Sequence, residues 1–294
     1  MADFRTDLAL EARNSLVSCP SGVTSDTADI DGFRVTTVRV TDNDGASVLC
    51  KPIGKYVTLE LDGFLRREDS AFDRCAAVIG RLLRDMAALD DGDEVLVAGL
   101  GNRGVTPDAL GPLTVDNVLI TRHLVNKEPG ALRGFLPVSA IKSGVLGTTG
   151  IESAALIKAL VGELAPKCVI AVDALASGSV ERVCRTVQIS DAGIIPGSGV
   201  GNGRAAINRE TLGVNVIAVG VPTVVDAGIL AADIARRSGI AADESKMTDA
   251  ADGMIVTPRE IDTRVNDCAR LIGYGINLAL HSSLSVADVT MLLG

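Results

Sequence analysis

Short aliphatic runs separated by helix-length segments are the feature that most limits how this 294-residue chain can fold. Three of these runs cover residues 95–100, 168–172 and 215–219, and they consist mainly of Val, Leu, Ile and Ala. Runs of this length and composition are typical of strands that are buried on both faces of a parallel sheet. Aromatic residues make up only 2% of the chain, so the core has to be built from these aliphatic side chains.

Segments with helical periodicity alternate with the aliphatic runs. Their predicted bounds are about 69–89, 108–122, 152–164, 226–237 and 260–280. This alternation favours an α/β fold in which helices flank a mostly parallel sheet. We predict a single domain over residues 1–294, with a β-rich N-terminal region at 1–65 and an α/β core at 66–294. Residues 241–253 contain few large apolar side chains and are predicted to form a mobile loop.

The charge and the cysteine content of the chain limit which binding partners and which cell compartment we expect. The net charge is −9 and no run of Lys or Arg occurs, so we expect no direct binding of nucleic acid. The six cysteines are dispersed without a C-x-x-C pair, which favours free thiols in a reducing compartment. No signal region begins the chain, and no uncharged apolar stretch reaches about 18 residues. We therefore expect a cytoplasmic protein without a membrane partner.

The same tripeptide, Asp-Ala-Leu, follows two of the aliphatic runs. It begins at Asp108 and again at Asp173. In open α/β sheets, ligands bind outside the carboxyl ends of the strands, where both aspartates are predicted to lie. Two carboxylates that share a site can differ in protonation, so that one activates water and the other polarises a carbonyl group. From the spacing alone, the favoured interpretation is that Asp108 caps a helix and Asp173 ends a strand, because Asp is common at caps.

Two further segments are rich in loop-forming residues. Residues 195–204, the Gly-rich segment, carry four glycines in ten positions. Their backbone N–H groups suit either an anion or an extended peptide, or the segment forms only a cluster of turns. No Lys-Ser/Thr pair follows, so this is not a nucleotide-binding P-loop. Farther on, Thr223 is predicted to cap a helix, with Asp226 near its positive end.

Metal binding has weak support in the sequence. The only histidines are His123 and His281, and neither has another His or a Cys nearby at ligand spacing. We expect no cofactor, although a hard cation held by carboxylates stays open.

Blocks spread along nearly the whole chain, in order, resemble the germination protease family of spore-forming bacteria. They are Arg5-Thr-Asp-Leu-Ala9 with Glu11, residues 52–60, Gly99-Leu-Gly-Asn102, Thr106-Pro-Asp-Ala-Leu-Gly-Pro112, Gly150-Ile-Glu152, Asp173-Ala-Leu-Ala176, Gln188-Ile-Ser190, Gly193, residues 196–202, residues 220–226 and Val256-Thr-Pro258. Several of these blocks are seven residues long, so the resemblance is specific.

The resemblance implies an endopeptidase of the forespore and spore core that hydrolyses small acid-soluble spore proteins during germination. It implies an atypical aspartic peptidase whose essential aspartates map to Asp108 and Asp173. It also implies a homotetramer, a zymogen activated by loss of a short N-terminal segment, and a phosphorylase/hydrolase-like fold related to hydrogenase maturation peptidases. Substrate-binding roles are expected for two residues near Asp108 and for the Gly-rich segment, namely Asn102, Thr106, Gly197, Ser198, Gly199 and Asn202.

Two other functions fit the same residues. One is a metal-dependent peptidase of the same fold, and the other is an inactive relative that only binds the spore protein. Residues 1–4 alone precede the Arg5 block, whereas the family usually carries a longer acidic propeptide there. We therefore expect either that the N-terminus is already trimmed or that regulation differs.

Overall fold

The computed structural model describes residues 6–127, 132–201, 203–240, 247, 251 and 253–294. Most of the predicted mobile loop at 241–253 lies outside these residues. The strands are β1 Val23–Ile30, β2 Phe33–Val40, β3 Gly54–Glu60, β4 Val95–Leu100, β5 Val138–Gly144, β6 Cys168–Ser177, β7 Thr186–Ser190, β8 Asn215–Asp226 and β9 Ile255–Val256. The helices are α1 Ala9–Asn14, α2 Asn43–Leu49, α3 Asp62–Leu65, α4 Ala71–Ala87, α5 Leu110–Val115, α6 Arg122–Val125, α7 Leu146–Thr149, α8 Ser153–Leu164, α9 Arg209–Leu212, α10 Ala227–Arg237, α11 Ile261–Leu280 and α12 Val286–Leu293.

In the described part of the chain, nine strands form one mixed sheet in the order β1-β2-β3-β7-β8-β6-β4-β5, and β9 pairs with β8. The α/β class is confirmed, but the prediction of a mostly parallel sheet is wrong. Only the pairings β4–β5, β4–β6 and β6–β8 are parallel, whereas the other five are antiparallel. The short turn that joins β1 to β2 permits only antiparallel pairing of these two strands. The strands β3 and β7 also pair antiparallel.

Helices cover both faces of the parallel part of the sheet. The larger core cluster packs α4 and α11 against one face, with Ile170 and Val172 of β6 among its buried residues. The smaller cluster packs α8 against the opposite face, which carries Val169 and Ala171. This alternation follows from the two-residue period of a strand. It places Asp173 on the same face of β6 as Val169 and Ala171.

The predicted helices are confirmed within about two residues for α4, α8, α10 and α11. The continuous helix predicted over 108–122 is wrong. A 3-10 turn at Thr106–Asp108 precedes the short helix α5, and α6 begins only at Arg122. Between them the chain is drawn toward the sheet, because the buried Thr121 hydroxyl donates to the Leu136 carbonyl at 2.6 Å.

All six cysteines are free thiols, as predicted; four of them are buried, while Cys19 and Cys50 are exposed. In the described ranges, none of the helices combines the length and the apolar character that crossing a bilayer requires.

Helices α4 and α11 approach each other closely enough that one contact position accepts only glycine. A Cβ atom placed on Gly275 of α11 would overlap the Ile79 side chain of α4. Gly162 of α8, by contrast, has open space around the position of a Cβ atom. Substitution of Gly275 therefore tests close packing between helices, whereas substitution of Gly162 tests helix propensity alone.

We predict that Gly275→Ala lowers the free energy of unfolding by about 1–3 kcal/mol, because the added methyl group overpacks a tight helix contact. The matched change Gly162→Ala is expected to raise it by about 0.5–1 kcal/mol, since alanine is the better helix former. Urea denaturation followed by circular dichroism measures both. Equal effects of the two substitutions would contradict the packing described here.

Candidate active site

Asp173 lies inside β6, at the point where the neighbouring strand ends. The ladder between β4 and β6 stops at Gly99 and Val172, while β6 continues beside β8 with Asp173 opposite Gly220. Asp173 is therefore the first residue of β6 beyond its pairing with β4. Its carboxylate accepts a hydrogen bond from the Ala174 N–H at 2.9 Å and is only 5% exposed.

The loop after β4 brings Asp108 back over the ends of the strands. The loop leaves β4 through Gly101, whose φ of +101° suits only glycine and where a Cβ atom would collide with the Asp108 backbone. The Asn102 N–H then donates to Asp108 Oδ2 at 2.8 Å. No side chain caps the N-terminus of α5, whose N-cap residue is Ala109. The Asp108 carboxylate therefore does not cap this helix and instead accepts a hydrogen bond within the loop.

A threonine of the central sheet holds this loop in place. The Thr223 hydroxyl donates to the Pro107 carbonyl at 2.7 Å. The prediction that Thr223 caps a helix is wrong, because β8 continues to Asp226. Asp226 does cap α10, since it accepts from the Gly228 N–H at 2.8 Å.

Both aspartates line one cavity of about 410 Å³ at the carboxyl edge of the parallel strands. Segments after β4 and β5 form two of its walls, and the third comes from the end of β6 together with the Gly-rich segment. Ligand cavities of open α/β sheets occupy this place. The volume suits a few residues of an extended peptide.

The two carboxyl groups have unequal surroundings. Burial raises the pKa of Asp173 well above its ordinary value, and the nearby charge of Asp108 raises it further. Burial also raises the pKa of Asp108, but the hydrogen bond from the Asn102 N–H opposes this effect by stabilising the charged form. Asp173 is thus the member that keeps its proton more readily.

The predicted substrate-binding residues divide into those that line the cavity and those that do not. Gly197 and Gly199 line it, whereas Ser198 faces a smaller neighbouring cavity and donates to Asp7 Oδ1 at 2.7 Å. Asn102 and Thr106 stabilise the loop through the Asn102 N–H described above and through the Thr106 carbonyl, which accepts from the Ala109 N–H at 3.1 Å. Asn202 lies outside the described residues.

Sequence reasoning did not single out three charged residues of the cavity: Asp7, Glu152 and Arg204. Arg204 lies 3.6 Å from the Glu152 carboxylate, and both side chains are more than one-third exposed. The only signal for Asp7 and Glu152 was their presence in the blocks that resemble the family. Within the described ranges, no group of three His, Cys, Asp or Glu residues is disposed to hold a metal ion.

Two carboxyl groups of unequal burial in one cavity at the edge of an α/β sheet form a candidate site for an enzyme that uses general acid–base chemistry. The family model described as germination protease matches residues 6–236.

Curated relatives agree with the family model. The germination protease of Caldanaerobacter subterraneus subsp. tengcongensis is 40% identical over 317 residues, which cover 99% of this chain and 98% of the relative. That of Clostridium perfringens strain SM101 is 37% identical over the full length of both chains. That of Geobacillus sp. strain WCH70 is 37% identical, with 97% and 95% covered. The chain belongs to the germination protease family and is an endopeptidase.

We predict that Thr223→Val lowers kcat/KM about fivefold, because loss of one buried hydrogen bond of about 1 kcal/mol frees the loop that carries Asp108. Thr186→Val is the matched control: Thr186 is a buried strand threonine whose hydroxyl has no hydrogen-bond partner in the described part of the structure. Peptidase assays and melting temperatures measure both variants. Unchanged activity in Thr223→Val would show that this bond does not position the loop.

Proposed function

We propose that this endopeptidase hydrolyses small acid-soluble spore proteins during germination, and that it does so with Asp108 and Asp173 as a water-activating pair. The observation that carries the mechanism is that both carboxyl groups line one cavity with unequal burial. Family membership supports the substrate. In this reading the enzyme is an aspartic peptidase of atypical type.

The surroundings of the two carboxyl groups favour one assignment of roles. Asp108 is half-buried and accepts a backbone N–H, so it is the better candidate for the ionised general base. Asp173 is buried beside a like charge, which favours the protonated form that donates to a carbonyl oxygen. Because the two groups interact, their apparent pKa values belong to the pair.

The proposed reaction proceeds in two steps. Asp108 takes a proton from water as the water oxygen bonds to the scissile carbonyl carbon, while Asp173 donates a hydrogen bond to the carbonyl oxygen. The tetrahedral intermediate then collapses, the C–N bond breaks, and the leaving nitrogen takes the proton from Asp108. The hydrogen bond from Asp173 stabilises the negative charge that develops on the oxygen.

The cavity walls suit an extended peptide. Val105, Leu146 and Ile255 line the cavity and are 36–50% exposed, so they offer apolar surface to substrate side chains. Gly197 and Gly199 allow a peptide backbone to approach the Gly-rich segment closely. Arg204 offers a positive charge to an acidic side chain, which is the kind of residue expected before the cut in this family.

Four further properties are proposed from the family resemblance. They are a homotetramer, a zymogen, residence in the cytoplasm of the forespore and spore core, and a phosphorylase/hydrolase-like fold related to hydrogenase maturation peptidases. The substrate-binding roles of Asn102, Thr106, Gly197, Ser198, Gly199 and Asn202 belong to the same proposal.

We predict that Asp108→Asn and Asp173→Asn, each made alone, lower kcat on a small acid-soluble spore protein at least about a hundredfold, the usual contribution of general acid–base catalysis. Asp73→Asn, a change on the exposed face of α4, is the control and is expected to retain activity. Near-native turnover in either cavity variant, with intact circular dichroism, would remove that residue from the mechanism. Binding without cleavage by the wild-type protein would favour an inactive relative.

We predict a bell-shaped dependence of kcat/KM on pH whose two limbs lie above the ordinary aspartate pKa of 3.8, because burial raises both pKa values. Activity falls at low pH as Asp108 gains a proton, and at high pH as Asp173 loses one. Asp173 has a raised folded-state pKa, so its contribution to stability is lost as pH rises through that value. Asp173→Asn is therefore expected to be at least as stable as the wild type at neutral pH, as measured by its melting temperature.

A further inference from the structure

An ion pair joins two walls of the cavity that contains the aspartates. Glu152 belongs to the wall that follows β5, and Arg204 lies at the end of the Gly-rich segment. The Arg204 guanidinium group lies 3.6 Å from the Glu152 carboxylate, and both side chains are more than one-third exposed. The pair therefore lies on the solvent side of the cavity, where an entering peptide meets it.

The backbone of Arg204 is fixed by the base of the Gly-rich segment. The Arg204 N–H donates to the Pro196 carbonyl at 3.0 Å. Three residues later, Ile207 is fully buried and exchanges two backbone hydrogen bonds with Ile194, at 2.8 and 3.0 Å. The two limbs of the segment are thus joined at their base, and the Arg204 side chain extends from a fixed point beside the cavity.

The position of Glu152 is set by the start of α8. Glu152 is the N-cap residue of this 12-residue helix, but its side chain makes no capping hydrogen bond. The Ser153 hydroxyl donates to the Gly144 carbonyl at 3.1 Å, which fixes the start of α8 to the end of β5. The positive end of the helix dipole stabilises a negative charge at Glu152. Glu152 can therefore stay ionised when Arg204 is drawn away from it.

The charges that line the cavity are unevenly distributed. Within the described ranges, Arg204 is the only cationic side chain of the lining, and the other charged residues there are Asp or Glu. An acidic side chain of a substrate is thus attracted at one place in this lining. A guanidinium group also binds a carboxylate through two parallel hydrogen bonds, which gives the contact a defined geometry.

The ion pair is weak enough to be exchanged. Its 3.6 Å separation is longer than that of a charge-assisted hydrogen bond, and exposed pairs contribute little to stability. A substrate carboxylate that displaces Glu152 replaces one pairing by a closer one. A neutral side chain at the same place would separate the pair without replacing it, so it is disfavoured.

We propose that Arg204 is a specificity-determining residue that binds an acidic side chain of the substrate, and that Glu152 occupies Arg204 until this side chain displaces it. The inference rests on the proposed function of the cavity and deepens it by naming the residues that select the substrate. Because Arg204 has a fixed place on the wall, the exchange also sets which peptide bond lies at Asp108 and Asp173.

The test uses peptides that span one cleavage site, mapped by mass spectrometry in a small acid-soluble spore protein, with each Asp or Glu replaced in turn by its amide. We expect one replacement to lower kcat/KM of the wild type about tenfold or more, because an amide does not replace a carboxylate at Arg204. In Arg204→Gln the same two peptides are expected to differ less than about twofold.

Arg209→Gln is the matched control for Arg204→Gln. Arg209 is an exposed arginine of α9 that lines a separate cavity at the other end of the strands, so its variant is expected to discriminate as the wild type does. Full discrimination in Arg204→Gln, with an unchanged circular dichroism spectrum, would overturn the proposal. A wild type that accepts every amide replacement equally well would overturn it too.

Two further variants examine the exchange itself. Arg204→Glu reverses the charge, so the peptide with Lys at the selected position is expected to be cleaved faster than the acidic one. Glu152→Gln removes the competing carboxylate and is expected to lower KM for the acidic peptide about twofold to fivefold, the size of effect of an exposed ion pair. An unchanged or raised KM in Glu152→Gln would contradict the competition by Glu152.

The same assays distinguish failure of this inference from failure of the proposed function. If Asp108→Asn and Asp173→Asn retain turnover, the aspartate-pair mechanism fails, and the peptide pairs still measure discrimination by Arg204. If those two variants are inactive and Arg204→Gln discriminates fully, only the role of Arg204 fails.

Discussion

The burial of the Asp173 carboxyl group is the constraint on which the rest of the site depends. A carboxylate in an apolar core is costly unless it is hydrogen-bonded, paired with a cation or protonated. Here the group lies within a central strand, receives one backbone N–H and faces two other carboxylates, Asp108 and Asp7. The protonated state is the least costly response to these surroundings. The proposed mechanism, which needs one neutral and one ionised carboxyl group, benefits from the same surroundings.

The mixed sheet makes this burial possible. Three parallel pairings bring the ends of β4, β5, β6 and β8 to one edge, so that their connecting loops converge on Asp173. The antiparallel strands β3 and β7 extend the sheet on the other side and carry Gln188, which supports the segment of Asp7. The antiparallel part of the sheet therefore contributes to the site through β7 as well as to the size of the sheet.

The loop that carries Asp108 is fixed by a single, well-placed hydrogen bond. The Thr223 hydroxyl donates it to the Pro107 carbonyl. The bond crosses between parts of the chain more than a hundred residues apart. Such a contact rigidifies a catalytic site without adding much to the hydrophobic core, so its loss is expected to affect catalysis more than stability.

The sequence by itself determined the α/β class and most of the long helices, because aliphatic runs and helical periodicity are local patterns. It singled out both aspartates of the cavity through the family blocks, since the repeated Asp-Ala-Leu tripeptide alone also fitted a helix cap and a strand end. It also determined the family, through blocks that run from Arg5 to Pro258. Only the tertiary structure decided that the sheet is mixed, that Thr223 lies in a strand and supports a loop, and that Asp7 meets Ser198. These features depend on which distant strands become neighbours, and the free energy of such pairings comes from long-range contacts that no local pattern encodes.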